Sequence, residues 1–245
     1  MKLHPILVGA AMVAFLASTG CSNSPGRPGK ESEVIPPNEV TDFNLLYAQN
    51  CAGCHGADGK GGAAIAMANP VFLAIANDAA IRHTVADGVR ATAMPAFAQS
   101  AGGMLTDKQI DALVRGMRSW QKPDSLRDIS PPPYMARAPG DPQRGAEAYQ
   151  TYCSSCHGVD GRGGSNASSI VDGSYLALVS DQELRTIVIA GRPELGAPDW
   201  RSDVKGRPMS AHEISDVVAW LSSHRIQFPG QPYPISADRA KGEPR

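Results

Sequence analysis

Two stretches of the chain carry almost the same twelve residues: CAGCHGADGKGG at 51–62 and CSSCHGVDGRGG at 153–164. Eight of the twelve positions are identical, and Lys60 of the first copy is replaced by the equally basic Arg162. Both copies open with Cys-x-x-Cys-His, a pattern typical of covalent haem c attachment; a structural zinc site and a thioredoxin-like redox pair are the alternatives. Neither alternative accounts for the Gly-x-Asp-Gly that continues both copies. The two stretches therefore predict two haem c attachment sites.

The composition of the chain limits its class. Its 245 residues include 23 Lys and Arg against 24 Asp and Glu, a balance that gives no indication of a nucleic-acid partner. Aromatic residues are few, at 6%, whereas the chain contains 25 Gly and 20 Pro. Such a composition predicts short helices with long loops, or small domains that need more than protein to fill their cores.

The repetition is wider than the motif and has a period of about 102 residues. Tyr47 and Tyr149 each lie four residues before the first cysteine of their copy. Both tyrosines fall in predicted helices, 40–50 and 142–152, the second with Asp141 as its N-cap. Two copies at this spacing indicate a tandem duplication of one domain rather than a solenoid.

Each repeat also ends in a predicted amphipathic helix. Thr106 with Gln109, and Ser210 with Glu213, have the spacing of a capping box. Apolar residues follow at helical spacing, and we expect them to face the core. They are Ile110, Leu113, Val114 and Met117 in the first repeat and Ile214, Val217, Val218 and Leu221 in the second.

These patterns divide the chain into six segments. We predict a signal peptide at 1–20, a flexible tether at 21–38, a first domain at 39–122, a proline-rich linker at 123–140, a second domain at 141–227 and an extended tail at 228–245.

The N-terminal segment has the features of an export signal. Its apolar run, 6–17, is too short to span a bilayer and ends in small residues before Cys21. This end resembles a bacterial lipoprotein signal, although Ser18 stands where a leucine is usual. We predict lipidation at Cys21; the alternative is ordinary cleavage nearby, which would leave an exposed free thiol.

Within each repeat, a helix, the Cys-x-x-Cys-His motif, a glycine-bearing loop and a closing helix follow one another, and the first repeat adds the segment MPAF at 94–97. This order resembles class I cytochromes c, and the whole chain is similar to bacterial dihaem cytochromes c. The resemblance covers 39–122 and 141–227. It implies an all-α fold of two small domains, each around one covalently held haem.

The resemblance also assigns roles to residues. The cysteines that would form thioethers with the haem vinyl groups are Cys51, Cys54, Cys153 and Cys156. His55 and His157 would be the proximal iron ligands. Met94, followed by Pro95, would be the distal ligand of the first haem, a thioether that favours Fe(II); a methionine that only fills the core is the alternative.

The second repeat departs from the family pattern at the distal ligand. When its loop is aligned with the first, Ala197 falls where Met94 stands, and alanine cannot bind iron. Met209 is the only methionine after His157 and is the expected ligand. An open or water-bound iron and another side chain are the alternatives, because Met209 also matches Leu105 at the staple position before a helix N-cap.

Other side chains near the divergent loop have simpler expected roles. We expect Arg192 and Arg201 to be solvated loop charges, with haem propionates as the alternative partners. Trp200 and Trp220 fit core positions. The remaining histidines of the second repeat, His212 and His224, are expected on the surface of the closing helix.

Together these features predict a membrane-anchored cytochrome on the periplasmic side of a bacterial membrane, lipidated at Cys21. It would relay single electrons between redox partner proteins of a respiratory or photosynthetic complex, and we expect no nucleic-acid partner. The rival is a dihaem enzyme, peroxidase-like or thiosulfate dehydrogenase-like, whose second iron is open. For that chemistry the nearest acid–base candidates would be Glu194 and Asp199.

Overall fold

The computed structural model describes residues 34–121, 126, 130–202, 204 and 206–226. Within these residues the chain is built from α-helices, short 3-10 turns and isolated β-bridges, without a β-strand. The helices of the first repeat are α1 (Phe43–Asn50), α2 (Ala52–His55), α3 (Pro70–Ile75), α4 (Asp78–Asp87) and α5 (Asp107–Arg118). Those of the second are α6 (Pro142–Tyr152), α7 (Ser154–His157), α8 (Gly173–Leu178), α9 (Asp181–Ala190) and α10 (Ala211–Ser223). The predicted all-α fold class is confirmed.

The chain divides into two compact units, Met1–Glu39 and Val40–Arg245, and both repeats belong to the second. The described part of the first unit contains a 3-10 turn at Pro37–Glu39. The predicted signal peptide, the lipidation site Cys21, most of the tether and the C-terminal tail lie outside the described residues. In the part of the chain that is described, no helix combines the length and the apolar character needed to cross a bilayer.

The closing helices α5 and α10 begin with the predicted capping boxes. Thr106 Oγ1 accepts a hydrogen bond from Gln109 N–H at 3.3 Å, and Gln109 Oε1 accepts one from Thr106 N–H at 3.0 Å. The pair Ser210 and Glu213 repeats this exchange at 3.2 and 2.9 Å. Both reciprocal exchanges satisfy amide donors that the helix itself cannot use.

The helices that precede the motifs begin at aspartate caps. Asp141 Oδ1 accepts from the N–H groups of Gln143 and Arg144 at 2.8 and 3.0 Å, as predicted for α6. Helix α1 begins at Phe43, three residues later than the predicted 40–50. The reason is that the Asp42 carboxylate accepts from Leu45 N–H at 2.8 Å and so caps the helix there.

Besides the short motif helices α2 and α7, four helices were not predicted: α3, α4, α8 and α9. Each begins at a polar residue whose side chain accepts from the first-turn amides. These caps are Asn69, Asn77, Asp172 and Ser180. The signals were therefore present in the sequence, but the helices are short, at 6 to 10 residues, and carry little periodic pattern.

The core of each repeat lies between its first and last long helices. The predicted apolar faces of α5 and α10 are buried, and Ile110 and Ile214 are fully enclosed. The tyrosines Tyr47 and Tyr149 join the same buried layer. Burial of these faces is what holds each helix set together.

The two repeats also pack against each other. Asn69 Nδ2 donates to Ala190 O at 2.9 Å, and both groups are buried. Helix α3 contacts α9 around this bond. A second bond, between main-chain groups, joins Ala93 N–H to Leu178 O at 3.3 Å. The repeats are therefore connected by direct hydrogen bonds as well as by the linker.

The described part of the linker lies on the second repeat. Arg185 is buried, and its guanidinium donates to the carbonyls of Pro133 and Tyr134 at 2.9 to 3.2 Å. The same guanidinium donates to Ser215 Oγ at 3.1 Å. Gln182 Nε2 adds a bond to Tyr134 O at 2.9 Å. Pro133 and Tyr134 of the linker are thus held to α9 by hydrogen bonds.

Candidate haem sites

In both repeats the two cysteines and the histidine lie on one helical turn. Cys51 ends α1 and begins α2: its N–H donates to Tyr47 O at 2.8 Å, and its carbonyl accepts from His55 N–H at 3.0 Å. The corresponding bonds of the second copy measure 2.9 and 3.0 Å. Because residues three and four apart share a helical face, this turn presents both thiols and the imidazole together.

A glycine and a tyrosine fix the direction in which the chain leaves this turn. Gly56 and Gly158 have φ of 84° and 78°, a left-handed conformation that favours glycine. The carbonyl of Gly56 accepts from Tyr47 Oη at 3.0 Å, and that of Gly158 accepts from Tyr149 Oη. Burial raises the pKa of Tyr47, and it raises that of Tyr149 to about 12, so both phenols remain protonated donors.

The histidines are oriented by carbonyl groups of the following loop. His55 Nδ1 lies 2.9 Å from Ile65 O, and His157 Nδ1 lies 2.8 Å from Ser168 O. Since a carbonyl only accepts, these bonds place the ring proton on Nδ1 and leave Nε2 with a free lone pair. Burial lowers the pKa of His55, and the positive charge of Arg192 lowers it further. A neutral, oriented imidazole is the form that binds a metal.

The first thiol of each motif is not an activated nucleophile. Burial raises the pKa of Cys51 to about 11, and the neighbouring Cys54 adds to this effect. The pKa of Cys153 is raised to about 11 for the same two reasons, with Cys156 as its neighbour. A thioredoxin-like redox pair needs a lowered thiol pKa, so this environment does not fit that alternative.

The distal loops of the two repeats are closed by the same main-chain bond. Val89 N–H donates to Met94 O at 3.0 Å, and Arg192 N–H donates to Ala197 O at 3.0 Å. The bond follows the C-terminal glycine of α4 in one case and of α9 in the other. Ala197 therefore occupies the position that Met94 has in the first repeat, as the sequence alignment indicates.

Met209 lies in the core rather than in that loop. Its N–H donates to Trp200 O at 2.7 Å, just as Leu105 N–H donates to Phe97 O at 2.7 Å. Both Met209 and Leu105 are buried. The structural match of Met209 with Leu105 agrees with the sequence alignment, and the role of Met209 as an iron ligand stays a prediction.

One prediction about the divergent loop is wrong. Arg192 was expected to be solvated, yet its side chain is 11% exposed. Its Nη2 donates to Gly62 O of the first repeat at 2.8 Å, and its Nε donates to Glu194 at 2.5 Å. The repeats pack so that this loop meets the first motif loop, a contact between residues 130 positions apart that local pattern does not reveal. Arg201, in contrast, is exposed and pairs with Asp199.

The other aromatic residues and histidines take the predicted structural places. Trp200 is buried, and Trp220 stacks on Tyr149 with ring centroids 4.1 Å apart. His224 packs against Trp220 and its Nδ1 lies 2.8 Å from the Trp220 carbonyl, whereas His212 is exposed.

Comparison with known proteins places these two sites in a family. The family model "Cytochrome C oxidase, cbb3-type, subunit III" matches the chain twice, over 38–115 and 140–221. The cbb3-type cytochrome c oxidase subunit FixP of Sinorhizobium medicae is 25% identical over 195 residues, 68% of this chain and 60% of that protein. FixP of Azorhizobium caulinodans is 30% identical over 145 residues, 54% and 43% of the two chains. The matched regions thus span less than two thirds of these relatives.

Two solved structures align with the chain at low similarity. A protein of the reducing HAO-like complex of Kuenenia stuttgartiensis aligns with a TM-score of 0.42 and 19% identity, over 79% of this chain and 100% of its own. Thiosulfate dehydrogenase (TsdBA) of Marichromatium purpuratum aligns with a TM-score of 0.33 and 18% identity, over 87% and 51%.

The family match covers more than half of the chain and includes both Cys-x-x-Cys-His turns. It confirms the resemblance to c-type cytochromes. The chain therefore belongs to the family of cbb3-type cytochrome c oxidase subunit III, and it is a c-type cytochrome whose haem is covalently bound.

Proposed function

We propose that the chain binds two haem c groups, one in each repeat, and relays single electrons between redox partner proteins. The observation that carries this proposal is the shared geometry of the two motifs. In both, a histidine follows two thiols on one turn and keeps Nε2 free because Nδ1 is bonded to a loop carbonyl.

When bound, haem supplies an iron that gains or loses one electron. Its vinyl groups would form thioethers with Cys51 and Cys54, and in the second repeat with Cys153 and Cys156. His55 and His157 would supply the proximal nitrogens, and Met94 the distal sulfur of the first site. The bonds that the two Nδ1–H groups donate to Ile65 O and Ser168 O would hold the imidazoles against rotation.

Haem content tests this assignment. The double variant Cys51→Ser/Cys54→Ser should retain one covalent haem per chain, as should Cys153→Ser/Cys156→Ser, against two in the unchanged protein. Covalent haem is measured by the pyridine haemochrome assay and by intact mass. Ser155→Ala lies inside the second motif but leaves both thiols, so it serves as the control. Two haems in either cysteine variant would refute the assignment.

We also propose the predicted cellular setting: export by residues 1–20, lipidation of Cys21 and a place on the periplasmic side of a bacterial membrane. The FixP relatives, named as subunits of a cbb3-type oxidase, support a membrane electron-transport complex as the partner. Cys21→Ala should move the cytochrome from the membrane to the soluble periplasmic fraction and abolish labelling with palmitate. Unchanged membrane association would contradict the lipid anchor.

For the distal side of the second haem we propose Met209 as the iron ligand. Met209→Leu tests it well because Leu105 stands at the matching position of the first repeat, so the core volume is kept. The variant should lose the methionine-to-iron charge-transfer band of the second haem, whereas Leu105→Met, the matched control, should leave the spectrum unchanged. An unaltered spectrum in Met209→Leu would refute the assignment.

A dihaem enzyme is the second candidate, and Ala197 at the position of Met94 is the observation that favours it. High-spin iron amounting to half of the total haem in the EPR spectrum of the unchanged protein would support that candidate. Its acid–base candidates are, however, both engaged in ion pairs, Glu194 with Arg192 and Asp199 with Arg201. We therefore favour electron transfer.

A further inference from the structure

Arg192 of the second repeat contacts the motif loop of the first haem site. Its main chain exchanges two hydrogen bonds with Ala197, both of 3.0 Å, and so closes the distal loop of the second repeat. Its side chain leaves that repeat and donates to Gly62 O at 2.8 Å. One residue thus belongs to the distal side of one site and contacts the motif loop of the other.

Gly62 lies directly on the backbone of the first motif. A Cβ at this position would clash with the Cys54 carbonyl and with the main chain of His55 and Gly56. Two residues farther on, Ala64 N–H donates to Cys54 O at 2.9 Å. The guanidinium therefore rests on the loop that surrounds the proximal histidine, and it is shielded from water because the Arg192 side chain is 11% exposed.

From these contacts we propose that Arg192 is a positioning residue by which the second repeat raises the reduction potential of the haem in the first. The inference rests on the proposed function, since it requires haem at the first site. Reduction adds one electron, supplied by the redox partner, and makes the site more negative by one charge. A cation held nearby in a poorly solvated place favours that change.

Glu194 forms an ion pair with Arg192, so the charge beside Gly62 has a negative partner. Its carboxylate accepts a hydrogen bond from Arg192 Nε at 2.5 Å, while Nη2 of the same guanidinium donates to Gly62 O. Glu194 also lines a cavity of about 490 Å³ between the repeats, together with Asp58, Lys60 and Trp120. The guanidinium therefore lies against Gly62, whereas the carboxylate lies on the cavity that Asp58 and Lys60 of the same motif also line.

This arrangement predicts opposite effects for the two members of the pair. Arg192→Gln removes the cation and leaves Glu194 uncompensated, so the first haem becomes harder to reduce. Glu194→Gln removes the anion and keeps the Arg192–Gly62 bond, so the same haem becomes easier to reduce. A loosening of the interface, by itself, would shift the potential in the same direction in both variants.

The experiment is a spectroelectrochemical titration of the holoprotein, resolved into two one-electron components. The first-site component is the one that disappears in Cys51→Ser/Cys54→Ser. At a fixed ambient potential near its midpoint, Arg192→Gln should lower its reduced-to-oxidised ratio by about threefold to tenfold. Glu194→Gln should raise the ratio. Arg192→Lys, which keeps the charge, should remain close to the unchanged protein, and the exposed Arg201→Gln is the control.

Haem content and thermal stability are measured on the same samples. Unchanged first-site ratios in Arg192→Gln and Glu194→Gln, with both haems present, would overturn the role of Arg192 and leave the proposed function intact. Shifts in the same direction in both variants would also overturn it and indicate a structural contact only. Absence of the first-site haem from the unchanged protein would overturn the proposed function together with this inference.

Discussion

In both repeats the first and last long helices cross with a glycine on one helix and an aromatic residue on the other, but the helix that carries the glycine differs. In the first, Phe43 of α1 lies over Gly116 of α5, where any side chain would clash with the Phe43 ring. In the second, the position of Phe43 is Gly145 and the position of Gly116 is Trp220. Here the glycine is on the first helix and the aromatic residue on the last. One large and one small residue are needed at this helix crossing, and either helix can supply the large one.

Both arrangements bring an aromatic ring to the tyrosine that precedes the motif. Trp220 stacks on Tyr149, with ring centroids 4.1 Å apart. In the first repeat Phe43 and Trp120 lie 5.7 and 5.0 Å from Tyr47. The tyrosine that bonds the glycine carbonyl after the histidine is thus supported in both repeats, by different residues.

An arginine pair shows a divergence of the same kind. Arg82 of α4 bonds Asp107 and Asp111 of α5 at 2.8 and 2.9 Å in an exposed ion pair. Arg185 has the same position in α9, but the residues that match the two aspartates are Ala211 and Ser215. Without those carboxylates the guanidinium is buried and binds the linker carbonyls instead. The loss of an ion pair in one copy coincides with the gain of a linker attachment.

The largest expected effect separates the two helix crossings. Gly145→Ala would place a Cβ against the Asp216 carbonyl, which moves only with the whole of α10, whereas Gly116→Ala would meet the half-buried Phe43 side chain, which can shift without moving a helix backbone. We expect Gly145→Ala to lower the unfolding free energy by about 3 kcal/mol and Gly116→Ala by less than about 1, since alanine is the better helix former. Guanidinium unfolding of the two holoproteins measures the difference. Equal losses would show that the crossings are equivalent.

Asp216 allows a second test, because the first repeat has Ala112 at this position. Its carboxylate accepts from Asp141 N–H at 2.7 Å and from two nitrogens of Arg144 at 2.9 Å. Asp216→Asn should lower the unfolding free energy by about 2 kcal/mol near pH 7, because a buried carboxylate loses its charge-assisted hydrogen bonds.

The effect of Asp216 should depend on pH. Burial raises the pKa of its carboxyl, but the bonds from Arg144 and Asp141 outweigh burial and hold the pKa below its usual value. A carboxyl with a lowered folded pKa stabilises the fold above its unfolded pKa, about 3.9, and loses that contribution as the pH falls through the folded value. The melting temperatures of the unchanged protein and Asp216→Asn should therefore differ at pH 6 to 7 and converge as the pH falls below about 3.9 and through the folded pKa. A difference that persists there would contradict this account.

The smallest of the three effects concerns the arginine pair. Arg185→Met removes the donor of the Pro133 and Tyr134 carbonyls and should cost about 1 to 2 kcal/mol of unfolding free energy. It should also expose the linker 123–140 to limited proteolysis. Arg82→Met is the matched control and should change little, because exposed ion pairs contribute weakly. Equal protease sensitivity of the two variants would show that Arg185 does not hold the linker.

Short-range signals account for what was predicted correctly. The capping pairs at Thr106 and Ser210, and the cap and proline at 141–142, act through hydrogen bonds within one turn and are legible in the sequence. The caps Asn69 and Ser180 are equally local, but their helices α3 and α9 lack a long apolar period. The carbonyl partners of the histidines could not be predicted, since a loop carbonyl has no side-chain signature.

The sequence by itself determined the repeat, the order of thiols, imidazole and glycine in each motif, and the replacement of Met94 by Ala197, because covalent spacing and residue chemistry are local properties. Only the tertiary structure decided which loop carbonyls orient the histidines and which groups the Arg192 side chain contacts. The bonds Asn69–Ala190 and Arg192–Gly62 join residues 121 and 130 positions apart. Such contacts depend on how whole helix sets pack, so a cation expected in solvent lies instead against the first motif.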